Sequence, residues 1–576
     1  MEKAPRCHLS TTSTTSLTWD WLILASLWCI SLFIVNPLGN FPLNDDWSYG
    51  LTVKHMIENG DYRPTIGWHY MSLITNVLWG SLFCIPFGFS FTALRLSTSA
   101  LSLLGILGGH FLLRDLGVPR WQALIAIMTL AFNPVYYALS NTFMTDVPFT
   151  ALLILAAVFF ARNLKTDSNI DLFIGTILAA AAILSRQLAI SVPLAFSVSL
   201  VMTRGRTYRS LLRAAGPPAL CLGVLLVFQH WLRASARIDE SFFDKTNDLL
   251  YVLQHPTTQV WIVANNIYVG LLYLGLFLMP VLIFVGADIL WPRRKHVTAI
   301  FTLTLVAILS IFGIRILQSG KFDLMPMSGN ILVGSGIGPL TLRDVLILNL
   351  PHVSPLPMSF WCIVTAMSLL GATLLITALV VRAIDLMSTL RRNGKIVGNE
   401  AVRAFLLLSV TIYLLPVFPS YYFDRWLIPA ILFLAAGLAD VPGHFPRFSL
   451  VQTRILRLTS FSLLTAFSIF ALGTTKDYLS WNRVRWKALH NLMEVNHIGA
   501  ENIDGGFEFN GLYLYDPHYS DNPKKSWWWV QGDGYQIGFG NIPGYKIIKE
   551  YSYPNWIPPR TGRLVVLQED PQPSQK

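Results

Sequence analysis

The sequence predicts a polytopic α-helical membrane protein of about thirteen transmembrane helices, with juxtamembrane helices in the first external loop and a small C-terminal α+β domain. Three observations predict it. Of 576 residues, 53% are hydrophobic and 13% charged, and mean hydropathy is +0.50, a balance that excludes a soluble globular enzyme. Apolar runs long enough to cross lipid recur along the chain, and every second connection between them is basic. Beyond about residue 474 the sequence turns aromatic and rich in Gly, Pro, Asn and Asp, as a small folded domain requires.

Other classes fall away on composition. A net charge of +11 does not mark a nucleic-acid-binding protein, because Lys and Arg sit in short clusters between apolar runs rather than on one domain. The 13% of aromatic residues and the lack of any low-complexity tract exclude a disordered or fibrous chain. Cys7, Cys29, Cys84, Cys221 and Cys362 are scattered without a CxxC pair, so neither a disulfide framework nor a structural zinc site is implied.

The first window, 21–38, lacks the charged lead and cleavage site of a signal peptide and reads as a retained span. The windows 91–113, 121–139, 147–163, 171–185, 188–203, 212–232, 260–290, 297–316, 359–381, 403–419, 425–439 and 456–473 follow. One side carries Lys3 and Arg6, Arg114 and Arg120, Arg162 and Lys165, Arg204 to Arg213, Arg293 to Lys295, Arg382 to Lys395, and Arg447 to Arg457. The positive-inside rule places that side, and the N-terminus, in the cytoplasm.

The outer face then holds 39–90, 140–146, 233–259, 317–358, the turn 420–424 and the tail. The predicted division is a transmembrane domain over 1–473 and an extracytoplasmic domain over 474–576. The stretch 68–88 is apolar enough to span, but counting it would invert every later loop against the charge bias. It reads as juxtamembrane helices. In the tail, a helical lead-in near Lys476 to Val495 precedes short strands.

Chemistry concentrates at the outer ends of the spans. Asn44-Asp45-Asp46-Trp47-Ser48-Tyr49 follows the first span; paired carboxylates near lipid raise each other's proton affinity, so one can serve as a general base. The plainer reading is an Asn/Asp helix cap. Asp146, before Pro148, opens the fourth window and is again a good helix start, yet it shares the outer face with Asp45 and Asp46. Arg186 interrupts an apolar stretch, and Arg425 opens the window 425–439. Either can snorkel to the interface, or form a fork for phosphate oxygens. Gly334 to Pro339 resembles a dinucleotide loop but has no βαβ unit and reads as turn chemistry. Trp527-Trp528-Trp529 suits either a domain core or a sugar-stacking face.

Taken in order, these residues resemble the GT-C superfamily of glycosyltransferases that use polyprenyl-phosphate sugars, in the branch holding protein O-mannosyltransferases and the lipid A aminoarabinose transferase. The likeness rests on Asp45, Asp46 and Tyr49 after the first span, Gly60 closing the next helix, and Phe87-Gly88 with Ala93-Leu94-Arg95. It continues with Asp146 at the head of a later span and Arg425-Trp426-Leu427-Ile428-Pro429 near the last spans. Asp46 stands where the family more often has Glu, leaving both Asp45 and Asp46 as candidates for the base. The family's histidine-proline pair is here His69-Tyr70.

The resemblance implies inverting transfer of a hexosyl or pentosyl group from a polyprenyl-phosphate donor to an acceptor hydroxyl on a protein, a glycolipid or a polysaccharide. Asp45, Asp46 and Asp146 are the expected catalytic acids, Arg186 and Arg425 the donor-phosphate ligands, and Tyr49 and His69 substrate-positioning groups. No metal ligands are assigned, and a divalent cation is left open as the only cofactor. Topology points the same way. Nucleotide sugars do not cross lipid unaided, so an outward-facing acidic pocket needs a sugar already carried by a membrane lipid. The competing classes are a polytopic transporter or lipid flippase, and a scaffold that binds glycans through the tail. A bacterial inner membrane is the expected location.

Overall fold

The computed structural model describes residues 14–290, 295–439, 449–519 and 528–570. Lys3, Arg6, Cys7, Arg293, Arg447 and Trp527 lie outside the described residues. Among the described residues, nine helices are long and apolar enough to cross a membrane, and the protein is a polytopic helical membrane protein.

The chain enters through α1 (Thr14–Val35) and, within the loop that follows it, forms α2 (Asp46–Asn59) and α3 (Ile74–Cys84). Gly60 closes α2 at φ +65, its N–H donating to the Met56 carbonyl, a left-handed cap that suits glycine. With 11 residues α3 is too short to cross, so the apolar stretch 68–88 adds no span. Next comes α4 (Phe91–Asp115), capped by the Ser90 hydroxyl, which accepts from Ala93 N at 3.1 Å.

The window 121–139, expected as one span, is two helices, α5 (Arg120–Ala131) and α6 (Pro134–Leu139). Pro134 has no N–H to continue the ladder, and the Asn133 side chain caps Val135 N and Tyr136 N instead. The most enclosed of the long helices, α7 (Asp146–Thr166), precedes α8 (Asn169–Ile183) and α9 (Ser191–Arg204). Between α8 and α9 the chain breaks at Ser185-Arg186, where the apolar run is interrupted.

Then come α10 (Tyr208–Ala234), α11 (Asp244–Gln254), α12 (Pro256–Phe277) and α13 (Met279–Leu290), so the window 260–290 divides at Leu278. After α14 (Lys295–Ser319) a long loop carries a hairpin, β1 (Leu332–Val333) with β2 (Gly336–Ile337), and a single turn, α15 (Arg343–Leu346). The glycine-rich stretch 334–339 thus makes the hairpin turn. The bundle continues with α16 (Met358–Asn393), α17 (Gly398–Leu414) and α18 (Ile428–Leu438). α8, α17 and α18 have 15, 17 and 11 residues, fewer than the roughly 20 a straight span needs. All of α18 is buried inside the bundle.

The final membrane helix, α19 (Leu450–His490), has 41 residues and starts in a capping box between Ser449 and Gln452. The expected span 456–473 and the expected lead-in beyond it are one unbroken rod. At 1.5 Å per residue it is about 60 Å long. Beyond it lie β3 (Ile503–Asp504), α20 (Phe507–Leu514), β4 (Tyr535–Gly538), β5 (Tyr545–Trp556) and β6 (Pro559–Glu569). The strands form one sheet in the order β3-β4-β6-β5, parallel between β3 and β4 and antiparallel elsewhere.

Helices cross closely where side chains vanish. A Cβ on Gly275 of α12 would lie 2.2 Å from Ala372 N, and one on Gly371 of α16 would lie 2.3 Å from the Gly275 carbonyl oxygen. Ser368 donates to the Leu272 carbonyl at 2.7 Å across the same crossing. Small residues of this kind are what lets membrane helices touch backbone to backbone. Gly371→Leu is expected to lower stability by about 3 kcal/mol, the upper part of the overpacking range, read as a lower unfolding temperature of the detergent-solubilised protein.

Candidate functional site

The site is built on the loop that follows α1. Arg95 of α4, fully buried, donates to the carbonyls of Pro37 at 3.0 Å and Gly39 at 2.9 Å, and also to that of Phe41. Its guanidinium lies 4.4 Å over the Phe41 ring. Clamped there, the chain passes through Asn44 in a left-handed turn at φ +56 and enters α2 with Asp45 as the N-cap.

Asp45 and Asp46 then point to different places. Asp46 is fully buried; one carboxylate oxygen accepts from Leu43 N and the other from Phe143 N at 3.1 Å. It does not line the cavity described next, contrary to the expectation of a catalytic acid, because both oxygens are held by backbone amides. What it does is tie the loop after α1 to the loop before α7. Burial pushes its carboxyl up to about 7, against the pull of Arg95 and the two amides.

Asp45 faces a cavity of about 440 Å³ that also receives Tyr49, Arg186 and Arg425. Arg425 Nη2 lies 3.3 Å from Asp45 Oδ2. Arg186 Nη1 lies 2.7 Å from Asp146 Oδ1, with the guanidinium near the rings of Phe149 and Trp426 at 5.9 and 6.0 Å. Asp146, buried at the head of α7, therefore stands behind Arg186 and makes no cap of its own. Arg425 is 6% exposed, yet its Nε and Nη1 meet no acceptor among the described residues. A buried guanidinium of that kind is suited to an anion. Burial pushes the Asp45 carboxyl above the usual carboxylate range, against the pull of Arg425.

Tyr49 follows Asp45 by one helical turn, so both face the same cavity. His69 does not reach it. The imidazole packs on the Tyr49 ring, centroids 5.3 Å apart, with neither nitrogen hydrogen-bonded among the described residues. Burial pushes its pKa down to about 3, so it is a neutral ring that backs Tyr49. Of the seven residues marked in the sequence, four line the cavity, Asp146 supports one of them, and Asp46 and His69 lie behind the wall.

Two carboxylates that hold the site together had no counterpart in the sequence reading. Asp424 accepts from Ile331 N at 3.2 Å, Leu332 N at 2.7 Å and Arg425 N at 2.8 Å, fixing the loop between α14 and α16 under Arg425. Glu508 of α20 accepts from Asn44 N at 3.0 Å. Asp424 stood next to the arginine that drew attention, and Glu508 lay in a stretch legible only as turn-rich. The rest of the wall is mostly apolar, with Met71, Leu188, Phe242, Leu249, Val417 and Phe423, and polar groups at Asn44, Gln187, Gln229, Asn330 and Ser420. Among the described residues, no group of three or more His, Cys, Asp or Glu side chains comes together that could hold a metal ion.

Residues 78–232 match the sequence model of the family described as dolichyl-phosphate-mannose-protein mannosyltransferase. The match runs from α3 into α10 and bears out the resemblance to polyprenyl-phosphate-sugar glycosyltransferases. No curated protein matches. Among solved structures, the chain is similar to the S. cerevisiae protein O-mannosyltransferase Pmt1-Pmt2 complex bound to the sugar donor, at 16% identity and TM-score 0.28, over 38% of this chain and 35% of that one. The chain thus spans about a third of that relative's length. It is also similar to ArnT from Cupriavidus metallidurans bound to undecaprenyl phosphate, at 13% identity and TM-score 0.38, over 98% of this chain and 100% of that one. The apo state of the same protein gives 14% identity and TM-score 0.37, over 97% and 100%.

The Asp46 bridge has a measurable consequence. Asp46→Asn leaves one of the two amides without an acceptor and is expected to cost about 1–3 kcal/mol. Folded Asp46 binds its proton more tightly than unfolded Asp46, so the wild type loses stability as pH rises from the ordinary carboxylate range to about 7, while the Asn variant does not. Unfolding temperatures should therefore differ more at about pH 4.5 than at about pH 7.5.

Proposed function

We propose that this protein is a glycosyltransferase that moves a sugar from a polyprenyl-phosphate donor to an acceptor hydroxyl, with inversion, at the non-cytosolic end of its helices. One observation carries the reading: a carboxylate, Asp45, shares a cavity with two arginines, Arg186 and Arg425. The family matched over 78–232 is described by dolichyl-phosphate-mannose, a donor of that class. The apolar part of the wall suits an isoprenoid, and the arginines suit the phosphate at its end.

Asp45 takes the proton of the acceptor hydroxyl as that oxygen attacks the anomeric carbon. The bond from that carbon to the phosphate oxygen breaks on the opposite face, and its electron pair leaves with the phosphate. A phosphate leaving group needs no proton near neutrality, so a single base suffices, unlike the acid and base pair of a glycosidase. Arg186 and Arg425 neutralise the departing phosphate. Asp146 orients Arg186, and Tyr49 bounds the space in which the sugar sits. A phosphate placed against Arg425 also draws that cation from Asp45, which frees the carboxylate to act as a base.

Asp45 and both arginines gather in one cavity, with Asp146 behind Arg186, rather than along a path through the bundle, and a flippase is not favoured. The proposed setting is a bacterial inner membrane, with the N-terminus cytoplasmic and residues 474–576 forming an extracytoplasmic domain. The acceptor is a hydroxyl of a protein, a glycolipid or a polysaccharide.

The test is transfer of labelled sugar from a panel of polyprenyl-phosphate monosaccharides by purified protein. Asp45→Asn is expected to remove about 100-fold or more of kcat while leaving the unfolding temperature near wild type; full turnover would remove Asp45 from the mechanism. Arg425→Gln is expected to weaken binding of undecaprenyl phosphate about tenfold or more, the loss of a charge-assisted contact. Because Asp45 must be ionised and burial raises its pKa, the acidic limb of kcat/KM should lie above the ordinary carboxylate value of about 4.

A further inference from the structure

Glu508 is fully buried on α20, far from Asp45 in sequence and one residue away from it in space. One of its oxygens accepts from the backbone N–H of Asn44 at 3.0 Å; the other accepts from the Thr341 hydroxyl at 2.6 Å and from Arg485 Nη1 at 2.7 Å. Arg485, on α19, also donates from Nε to the Gly505 carbonyl at 2.8 Å. A single carboxylate thereby joins the first external loop, the loop before α16, the long helix and the C-terminal segment. The residue it holds, Asn44, is a non-glycine in the left-handed region at φ +56. That conformation costs free energy and persists only where its surroundings enforce it. Asn44 is followed directly by the cap residue of α2, so its torsions set where the Asp45 carboxylate points.

We propose that Glu508 is a positioning residue for Asp45: acting through the Asn44 backbone, the C-terminal segment completes the site rather than merely accompanying it. The proposal rests on the transferase reading given above. Asp45 faces Arg425 from the turn before α18, Asp146 and Arg186 from α7 and the break after α8, Tyr49 from its own helix, and Glu508 from α20. The Glu508 charge favours the proton on Asp45. Removing that charge therefore lowers the pKa of the base as well as loosening its aim.

Full-length protein in lipid nanodiscs is compared as wild type, Glu508→Asp, Glu508→Gln and the double variant Arg485→Met/Glu508→Leu, which leaves no buried unpaired charge. The donor is whichever polyprenyl-phosphate monosaccharide of the panel the wild type turns over fastest; phosphate affinity is read with undecaprenyl phosphate alone. The double variant should lose about 100-fold in kcat, the scale of a misaimed catalytic group, with undecaprenyl phosphate affinity within about twofold of wild type. The acidic limb of its pH profile should move to lower pH, as should that of Glu508→Gln. In Glu508→Asp, which keeps the charge but shortens the reach, kcat should fall with the limb in place.

Wild-type kcat and an unmoved limb in a folded double variant would overturn the proposal. So would a parallel loss of kcat and phosphate affinity, the mark of a collapsed site. If both charge-removing variants fail to fold, Glu508→Asp decides: wild-type kcat refutes the positioning role, and a selective fall in kcat supports it. Turnover by Asp45→Asn, measured alongside, would instead defeat the transferase reading itself.

Discussion

Backbone amides buried at the end of a helix bundle must find acceptors, and in this protein side-chain carboxylates supply them. Asp46 accepts from Leu43 and Phe143, Asp424 from Ile331, Leu332 and Arg425, and Glu508 from Asn44. Asp344 accepts from Phe539 at 2.7 Å, and Asp477 from Trp556 at 2.7 Å and Ile557 at 2.9 Å. Apart from the local bonds of Asp46 with Leu43 and of Asp424 with Arg425, each joins segments distant in the chain. An orphaned buried amide costs a sizeable part of the net stability of a fold, so these pairings fix how the loops lie against one another. The cavity is the space they enclose.

This explains why acids near the cavity differ in character although they are the same residue types. Asp46 and Asp424 have their oxygens on amides; Asp146 is committed to Arg186. Asp45 reaches the cavity and meets the Arg425 guanidinium there. A side-chain cation is a partner of a different kind from a backbone amide, which the fold holds in place. The difference between Asp45 and Asp46 thus lies in what opposes each carboxylate, although the two are neighbours in sequence.

Much of this was legible in the chain. Apolar windows marked each long helix, because lipid demands continuous apolar length, and the interruption at Arg186 marked the break between α8 and α9. The convergence of Asp45, Tyr49, Arg186 and Arg425 followed from the short motifs taken together. What composition cannot encode is direction: whether Asp45 or Asp46 faces the cavity depends on where Phe143 comes to rest, a contact across 97 residues. Helix breaks inside apolar windows were hidden for a related reason. Pro134 and the turn at Leu278 sit in windows apolar enough as a whole to read as single spans. Glu508 was beyond reach because its partners lie in two separate loops and on α19.

The unbroken length of α19 ties these threads to the lipid. Its 41 residues measure about twice the hydrocarbon thickness of a bilayer, and Arg485 sits near its C-terminal end. With no joint along the way, the helix that crosses the lipid and the helix that carries Arg485 are one rod, so the ion pair of Arg485 with Glu508 is anchored directly to a membrane-spanning element.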